Sequence, residues 1–286
     1  MSGDAEARED TLRNARPGFV ERTLAAIIRF GRDWLLGFVN LQGFDRAVAL
    51  GGQAFTALIP LLIVYAAATS KASGRDFADQ IIRVFHLSGN SAESVQQAFA
   101  PPGAVESQVT VIGVFLLLFS ALSFTRALQR LYQITWNQPS LGIRAAKWGL
   151  IWLVLIVLVL TLRPVVLTGV HDVARVLLSI AISAVLWLVT PYVLLGRRLG
   201  WQRLVATGLL TGFGMTVLSL AGAIWMPRSV SASAAQFGGI GVAFALLSWL
   251  VGGGFVLVVA SAGGAVIDRR MLAARERRRN RRSRPA

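Results

Sequence analysis

The sequence contains no cysteine, only two histidines and few charged residues, and each shortage excludes a class of function. Without cysteine the chain has no disulfides, thiol nucleophiles or thiolate metal sites. The histidines, His86 and His171, are far apart and form no H-x-x-x-H metal motif. Charged residues make up 15% of the chain, against roughly 25% in soluble domains. We therefore expect no catalytic residues, no metal and no cofactor, and we interpret the protein as a non-enzyme.

Long apolar runs dominate the sequence instead. Hydrophobic residues make up 55% of it, and the mean hydropathy is +0.60. A run of about 20 apolar residues can cross the hydrocarbon core of a membrane as a helix. Six runs qualify, at 47–69, 109–131, 148–167, 176–195, 204–226 and 239–267. The sequence thus predicts an all-α polytopic membrane protein with a bundle of six transmembrane helices.

The positions of lysine and arginine predict the orientation of this bundle. With the N-terminus inside, the inner segments hold 23 basic residues and the outer segments hold 6. Basic residues accumulate on the cytoplasmic side of membrane proteins. We therefore expect a multi-pass protein of the plasma (inner) membrane with both termini in the cytoplasm.

Two segments outside the spans show helical patterns. In the N-terminal segment, 1–46, apolar residues recur at helical spacing, which predicts an amphipathic helix either in the membrane interface or packed against the spans. In the outer loop, 70–108, Phe77, Ile81, Val84 and Phe85 share one helical face, and a second short helix is expected after Asn90 or Ser91. We therefore expect a small outer helical hairpin between the first and second spans of the transmembrane domain, 47–267.

Three arginines near span ends are candidate contacts for an anion or a lipid. Arg163 lies near the outer end of the third span, where its side chain could also reach the interface by snorkelling. Arg126 and Arg130 lie one helical turn apart at the inner end of the second span. They could bind a lipid phosphate together or act as plain anchors.

Glycines and prolines within the spans mark a candidate substrate path. Pro60 and Pro191 lie in the first and fourth spans, and three consecutive glycines lie in the sixth, namely Gly252, Gly253 and Gly254. Glycine weakens a helix by about 1 kcal/mol relative to alanine, and broken helices form substrate sites in many transporters. The triplet therefore predicts either a functional helix break or a place where helices pack tightly.

The last segment, 268–286, is a basic tail. It contains nine arginines but no aromatic residue, so it lacks the stacking side chains typical of nucleic-acid binding. We expect it to contact anionic lipids of the bilayer, at ~1 kcal/mol per basic residue near the surface. No specific nucleic-acid partner is expected, and the oligomeric state stays open.

Three stretches of the sequence resemble the YihY/BrkB-type family of integral membrane proteins. They are "AFTALIPLL" at Ala54–Leu62, "LFSALSFTRALQRLYQITW" at Leu118–Trp136 and "FGGIGVAFALLSWLVGGGFVLVVASAGGAVIDRR" at Phe237–Arg270. The resemblance implies six spans with cytoplasmic termini. It does not imply a substrate, and the ribonuclease label once attached to this family has no acid–base or metal constellation in this sequence to support it.

The chain departs from the family pattern at three positions. Ala57 stands where a serine is common, Tyr132 where an asparagine is common, and Val266 where the last span often ends in a glutamate. The absence of that acid puts in doubt any mechanism that depends on it.

Three functions are compatible with these patterns. The leading hypothesis is transport of a small molecule or lipid, favoured by the glycines and prolines within the spans. The alternative is a non-transporting membrane scaffold or envelope-integrity protein, favoured by the scarcity of charge within the spans. A membrane-bound ribonuclease is the remote alternative.

Overall fold

The computed structural model describes residues 19–58, 79, 82, 89, 92–93, 95–96, 107–167, 169 and 171–282. Within this part of the chain all regular structure is helical, as the sequence predicts. The long helices, in chain order, are α1 (Phe19–Asn40), α2 (Gly43–Thr56), α3 (Ser107–Thr135), α4 (Arg144–Leu167), α5 (Asp172–Leu194), α6 (Trp201–Phe237) and α7 (Gly239–Arg282).

Five of these helices, α3 to α7, are long and apolar enough to cross a membrane. The chain is therefore an all-helical, multi-pass membrane protein. The first predicted span, 47–69, begins within α2 and continues past the described residues. Pro60 lies outside the described residues. The number of six spans accordingly stays a prediction.

Helix α7 lies at the centre of the bundle and packs against α6, α2, α1 and α3. It follows α6 after a single residue, Gly238, whose φ of 56° lies in the left-handed region that glycine adopts without strain. The fifth predicted span ends at 226, but α6 continues as a helix to Phe237 and contains Pro227. The two longest helices therefore form one continuous antiparallel hairpin.

Two apolar clusters fill the interior. The larger one joins α2, α3, α4, α5, α6 and α7 and contains Tyr132, Trp136 and Trp152. The smaller one lies near the tip of the α6–α7 hairpin, where Met226, Val230 and Val242 are buried. The bundle is thus packed at both of its ends.

The predicted hairpin in 70–108 is described at a few residues. Residues 79, 82, 92–93 and 95–96 are helical and Gly89 is in a turn. The Nε2 of Gln96 donates a hydrogen bond to Oδ1 of Asp79 at 3.2 Å, and Val95 is fully buried in the smaller cluster. The described residues Val95 and Ile82 of this segment therefore pack against the α6–α7 tip.

One end of the bundle, which we call the basic end, holds the α3–α4 and α5–α6 connections. Arg198 donates a hydrogen bond to the carbonyl of Pro139 at 2.6 Å and thereby ties the two connections together. Gly142, Gly196 and Arg197 have positive φ in these turns. The basic end also contains the last third of α7, because Asp268 contacts the first turn of α6.

Candidate functional site

One feature of the basic end is a groove between α1, the end of α3 and α7, with a volume of about 590 Å³. We call it the α1 groove. Its polar rim consists of Asp33, Asn40, Thr135, Asn137, Arg269 and Arg270. Its apolar lining consists of Leu36, Leu41, Ile134, Ala262, Ala265 and Val266. Such a combination suits an amphipathic molecule.

Helix α1 is held beside α7 by an aromatic face. The indole N–H of Trp34 donates to the carbonyl of Val259 at 2.9 Å, and Gly263 leaves space for that ring, because a Cβ there would lie 2.7 Å from it. Phe38 stacks on Phe255 with ring centroids 6.2 Å apart. Helix α1 is therefore docked by a specific contact surface.

The apolar stripe that the sequence predicts in α1 lies on its other side. Leu24, Ile27, Ile28 and Leu35 are all more than half exposed. Arg29 and Arg32 are exposed as well. An amphipathic helix with exposed apolar residues is typical of one lying in a membrane interface, while the Trp34 and Phe38 side of α1 packs on α7.

An ion pair closes one side of the α1 groove. Nη2 of Arg270 lies 2.5 Å from Oδ2 of Asp33, and the guanidinium of Arg270 lies 5.1 Å from the centroid of the Phe30 ring. The hydrogen bond from Arg270 lowers the pKa of the Asp33 carboxyl below its usual value. Asp33 is consequently a stable anion that anchors Arg270 at the groove.

A second ion pair at the basic end has a buried carboxylate and a partly exposed arginine, and the sequence reasoning missed it. Both Nε and Nη2 of Arg203 donate to Oδ2 of Asp268, at 3.0 and 2.7 Å. The Asp268 side chain is 7% exposed. Asp268 directly follows the last apolar run, so it reads as the first residue of the tail. The helical continuation of α7 turns it toward α6 instead.

Unpartnered polar atoms accompany this buried pair. The Arg203 guanidinium lies 5.7 Å from the Trp136 ring. Among the described residues, the Trp136 indole nitrogen and the hydroxyls of Tyr132 and Thr207 are buried without a hydrogen-bond partner. Buried polar groups without partners are costly and uncommon. The α3, α6 and α7 helices thus enclose a polar region within an apolar core.

The three predicted glycines do not break α7. The helix is continuous through Gly252, Gly253 and Gly254, which fits the tight-packing alternative. A Cβ on Gly254 would collide with the carbonyl oxygen of Ala47 in α2, whereas one on Gly253 would meet only Leu218, at 3.8 Å. Close backbone contact between α2 and α7 holds this stretch straight.

Pro191 lies inside α5 near its end, and α5 continues to Leu194. Proline lacks an N–H, so the carbonyl of Trp187 loses its intrahelical donor. Helix α6 approaches that carbonyl closely because Gly208 has no side chain; a Cβ there would lie 2.9 Å from the oxygen. Pro191 and Gly208 therefore act together in packing rather than in lining the α1 groove.

The predicted arginine contacts lie in different places. Arg163 donates a hydrogen bond to the hydroxyl of Ser179 and so joins α4 to α5. Arg126 and Arg130 line a separate cavity between α3 and the start of α4. None of the three borders the α1 groove.

The described residues hold little that resembles a catalytic centre. His171 is exposed at the N-terminus of α5 and makes no capping hydrogen bond, and His86 lies outside the described part of the chain. No three His, Asp or Glu residues of that part could together hold a metal ion. Asp33 and Asp268 are both paired with arginine.

Comparison with known proteins identifies the family. No curated protein matches the chain, and no solved structure does. The family model described as "Virulence factor BrkB" matches residues 36–285. This match extends from the second half of α1, which borders the α1 groove, through all five candidate spans to the basic tail. The chain therefore belongs to the virulence factor BrkB family of membrane proteins.

Proposed function

We propose that this protein is a non-enzymatic plasma-membrane protein that binds an anionic amphipathic molecule, such as a phospholipid, in the α1 groove and moves it between the leaflets. One observation carries the proposal: the groove joins a rim containing Arg269 and Arg270 to an apolar lining within a membrane-embedded bundle. Its volume of about 590 Å³ falls within the range of ligand pockets, about 300–1,000 Å³.

The electrostatics of the groove support an anionic ligand. Asp33 forms an ion pair with Arg270, while Arg269 donates a hydrogen bond to the carbonyl of Ala265 at 3.2 Å. Arg269 also interacts electrostatically with Asp33, so the two arginines share one carboxylate and the rim keeps a net positive charge. A phosphate group at this rim would place its acyl chains along Ile134 and Val266.

The proposal includes an orientation with both termini in the cytoplasm. The basic end carries Arg126, Arg130, Arg197, Arg203 and Arg270, and an excess of basic residues is typical of the cytoplasmic side. The arginine-rich end of α7 would then lie near anionic lipids of the inner leaflet.

The test is transbilayer movement of a fluorescent phosphatidylglycerol in vesicles containing the purified protein. Wild-type protein is expected to accelerate movement over empty vesicles. Gly37→Phe should fill the groove and reduce the rate at least severalfold, because Gly37 lines it and a Cβ added there would lie 3.8 Å from the side chains of Ala262 and Val266. Gly31→Phe is the matched control, since Gly31 has nothing within 4 Å.

Two results would contradict the proposal. Equal rates for wild-type protein and empty vesicles would argue for the scaffold alternative, which predicts a co-purifying partner and no flux. Equal rates for wild type and Gly37→Phe would remove the α1 groove from the path. RNA cleavage by the wild type that is lost on alanine replacement of His86 and His171 would instead favour the nuclease alternative.

A further inference from the structure

We propose that the cavity between α3 and α4 is a second binding site, selective for the phosphate group of an anionic phospholipid. The cavity measures about 420 Å³ and is lined by Arg126, Gln129, Arg130, Gln133, Ser140 and Ile143, among others. The cavity shares no residue with the α1 groove, so this second site can be tested independently of the function proposed above.

Two unpaired cations dominate this cavity. Arg126 and Arg130 are four residues apart on α3, so both side chains lie on one face of the helix. The ion pairs of the described residues use Arg32, Arg203 and Arg270, and neither Arg126 nor Arg130 takes part in one. Guanidinium groups bind phosphate oxygens in a bidentate geometry.

The position of these two exposed arginines within a candidate span favours a bound anion. Helix α3 ends at Thr135, so Arg126 lies about 14 Å and Arg130 about 8 Å before the helix end at 1.5 Å per residue. Both belong to the candidate span Ile112–Thr135. Charged side chains within a span pair with another group. Since the described protein supplies no carboxylate here, the counter-charge is expected from a ligand.

A buried amide points into the same cavity. Gln133 is 8% exposed and lines the cavity, yet its side chain makes no hydrogen bond among the described residues. Gln129, one turn away, differs: its Nε2 donates to the carbonyl of Ala145 at 3.0 Å and fixes α3 to α4. The free NH₂ of Gln133 is thus available to donate to a phosphate oxygen.

The start of α4 adds a third element. This 24-residue helix begins at Arg144 without an acidic residue in its first turn, and Ala145 and Ala146 border the cavity. The N-terminus of a helix attracts anions through its free N–H groups and its dipole. Beside it, Ile143 is 97% exposed and offers an apolar contact for the glycerol or acyl part of a lipid.

The test compares lipid affinities of the delipidated full-length protein in a neutral detergent, by native mass spectrometry. The probes are short-chain phosphatidylglycerol, phosphatidylcholine and inorganic phosphate. Arg126→Gln with Arg130→Gln should weaken phosphatidylglycerol binding by at least about tenfold. Gln133→Leu, which keeps both charges, should weaken it by a few fold. Arg275→Gln with Arg277→Gln removes two exposed arginines outside the cavity and serves as the matched control.

The outcomes separate the sources of the anion. Tighter binding of phosphatidylglycerol than of phosphate, lost in the cavity variants but not in the control, supports the lipid site. Binding of inorganic phosphate without binding of phosphatidylglycerol would support an anion site that is occupied by a soluble phosphate. Unchanged binding in both cavity variants, or equal loss in the control, would overturn the proposal. If the double variant fails to fold, Gln133→Leu still decides the question.

Discussion

Arg203 at the start of α6 and Asp268 in α7 are joined by two N–H donors on a single carboxylate oxygen, although 65 residues separate them in the chain. The contact places the first turn of α6 against the last third of α7. It also holds the Arg203 guanidinium over Trp136 of the α3–α4 connection. Three segments of the basic end therefore depend on one buried carboxylate.

Asp268→Asn is expected to lower the free energy of unfolding by about 2 kcal/mol, the typical contribution of hydrogen bonds to a charged group. The loss arises because Arg203 keeps its charge without a counter-ion. Denaturation of the purified protein in detergent measures the effect. Glu276→Gln, at an exposed position of the same helix, is the control and should leave stability unchanged. Equal stability of both variants would mean that the pair contributes nothing.

Alanine substitutions at two adjacent glycines of α7 should change the stability of the protein in opposite directions. Gly254→Ala is expected to destabilise the protein by roughly 1–3 kcal/mol through overpacking, because its Cβ would collide with the backbone of Ala47. Gly253→Ala has room and should stabilise α7 by up to about 1 kcal/mol. Thermal unfolding of the two variants provides the comparison. Destabilisation of the same size at both positions would restore the idea that the triplet is a functional break.

Docking of α1 should depend on pH only under acidic conditions. The folded-state pKa of Asp33 lies below the ordinary value of 3.8. The contribution of the Asp33 carboxylate to the docking of α1 is therefore fully present above the ordinary pKa. It is lost as the pH falls through the folded-state pKa. Spin labels at Ala26→Cys and Ala274→Cys should report one narrow distance distribution at pH 7 and pH 5, and a broader one once the pH falls below the folded-state pKa of Asp33.

The absence of native cysteine makes those labels specific, and Asp33→Asn supplies the control. This variant should show the broad distribution at pH 7 already, because it removes the anion that holds Arg270. A narrow distribution in Asp33→Asn at pH 7 would show that the aromatic contacts of Trp34 alone dock α1.

The proposed orientation predicts opposite labelling of the two ends of the bundle. Ser140→Cys lies in the α3–α4 connection at the basic end, and Ser229→Cys lies beyond the middle of α6. In intact cells an impermeant maleimide should label Ser229→Cys and Ser91→Cys, but not Ser140→Cys or Ser283→Cys. Labelling of Ser140→Cys from outside would reverse the orientation.

Patterns that depend on neighbours in the chain were predictable from the sequence. The helical class, the amphipathic α1 and the positions of α3 to α5 follow from runs and periods of apolar residues. The ends of α6 and α7 were not predictable, because the apolar pattern stops near Pro227 in α6 and before the basic tail in α7. Each helix extends well past its apolar run because the two partners support each other along their length.

Features that depend on distant residues were not predictable. The glycine triplet has poor helix propensity when considered alone, and only the backbone of Ala47 explains why it is straight. Asp268 follows an apolar run, and nothing local distinguishes it from the charges of a tail. The aligned spacing of Arg126 and Arg130 did indicate a shared contact. The buried amide of Gln133 that completes their cavity becomes visible only in three dimensions.

The hairpin of α6 and α7 has a mechanical consequence. With 37 and 44 residues, the helices are about 55 and 66 Å long at 1.5 Å per residue, roughly twice the thickness of the hydrocarbon core. Helix α7 contacts Trp34 toward the basic end of the bundle and shares the cluster that buries Val95 at the opposite end. Because it is one unbroken helix, it connects its arginine-rich end directly with the tip of the α6–α7 hairpin.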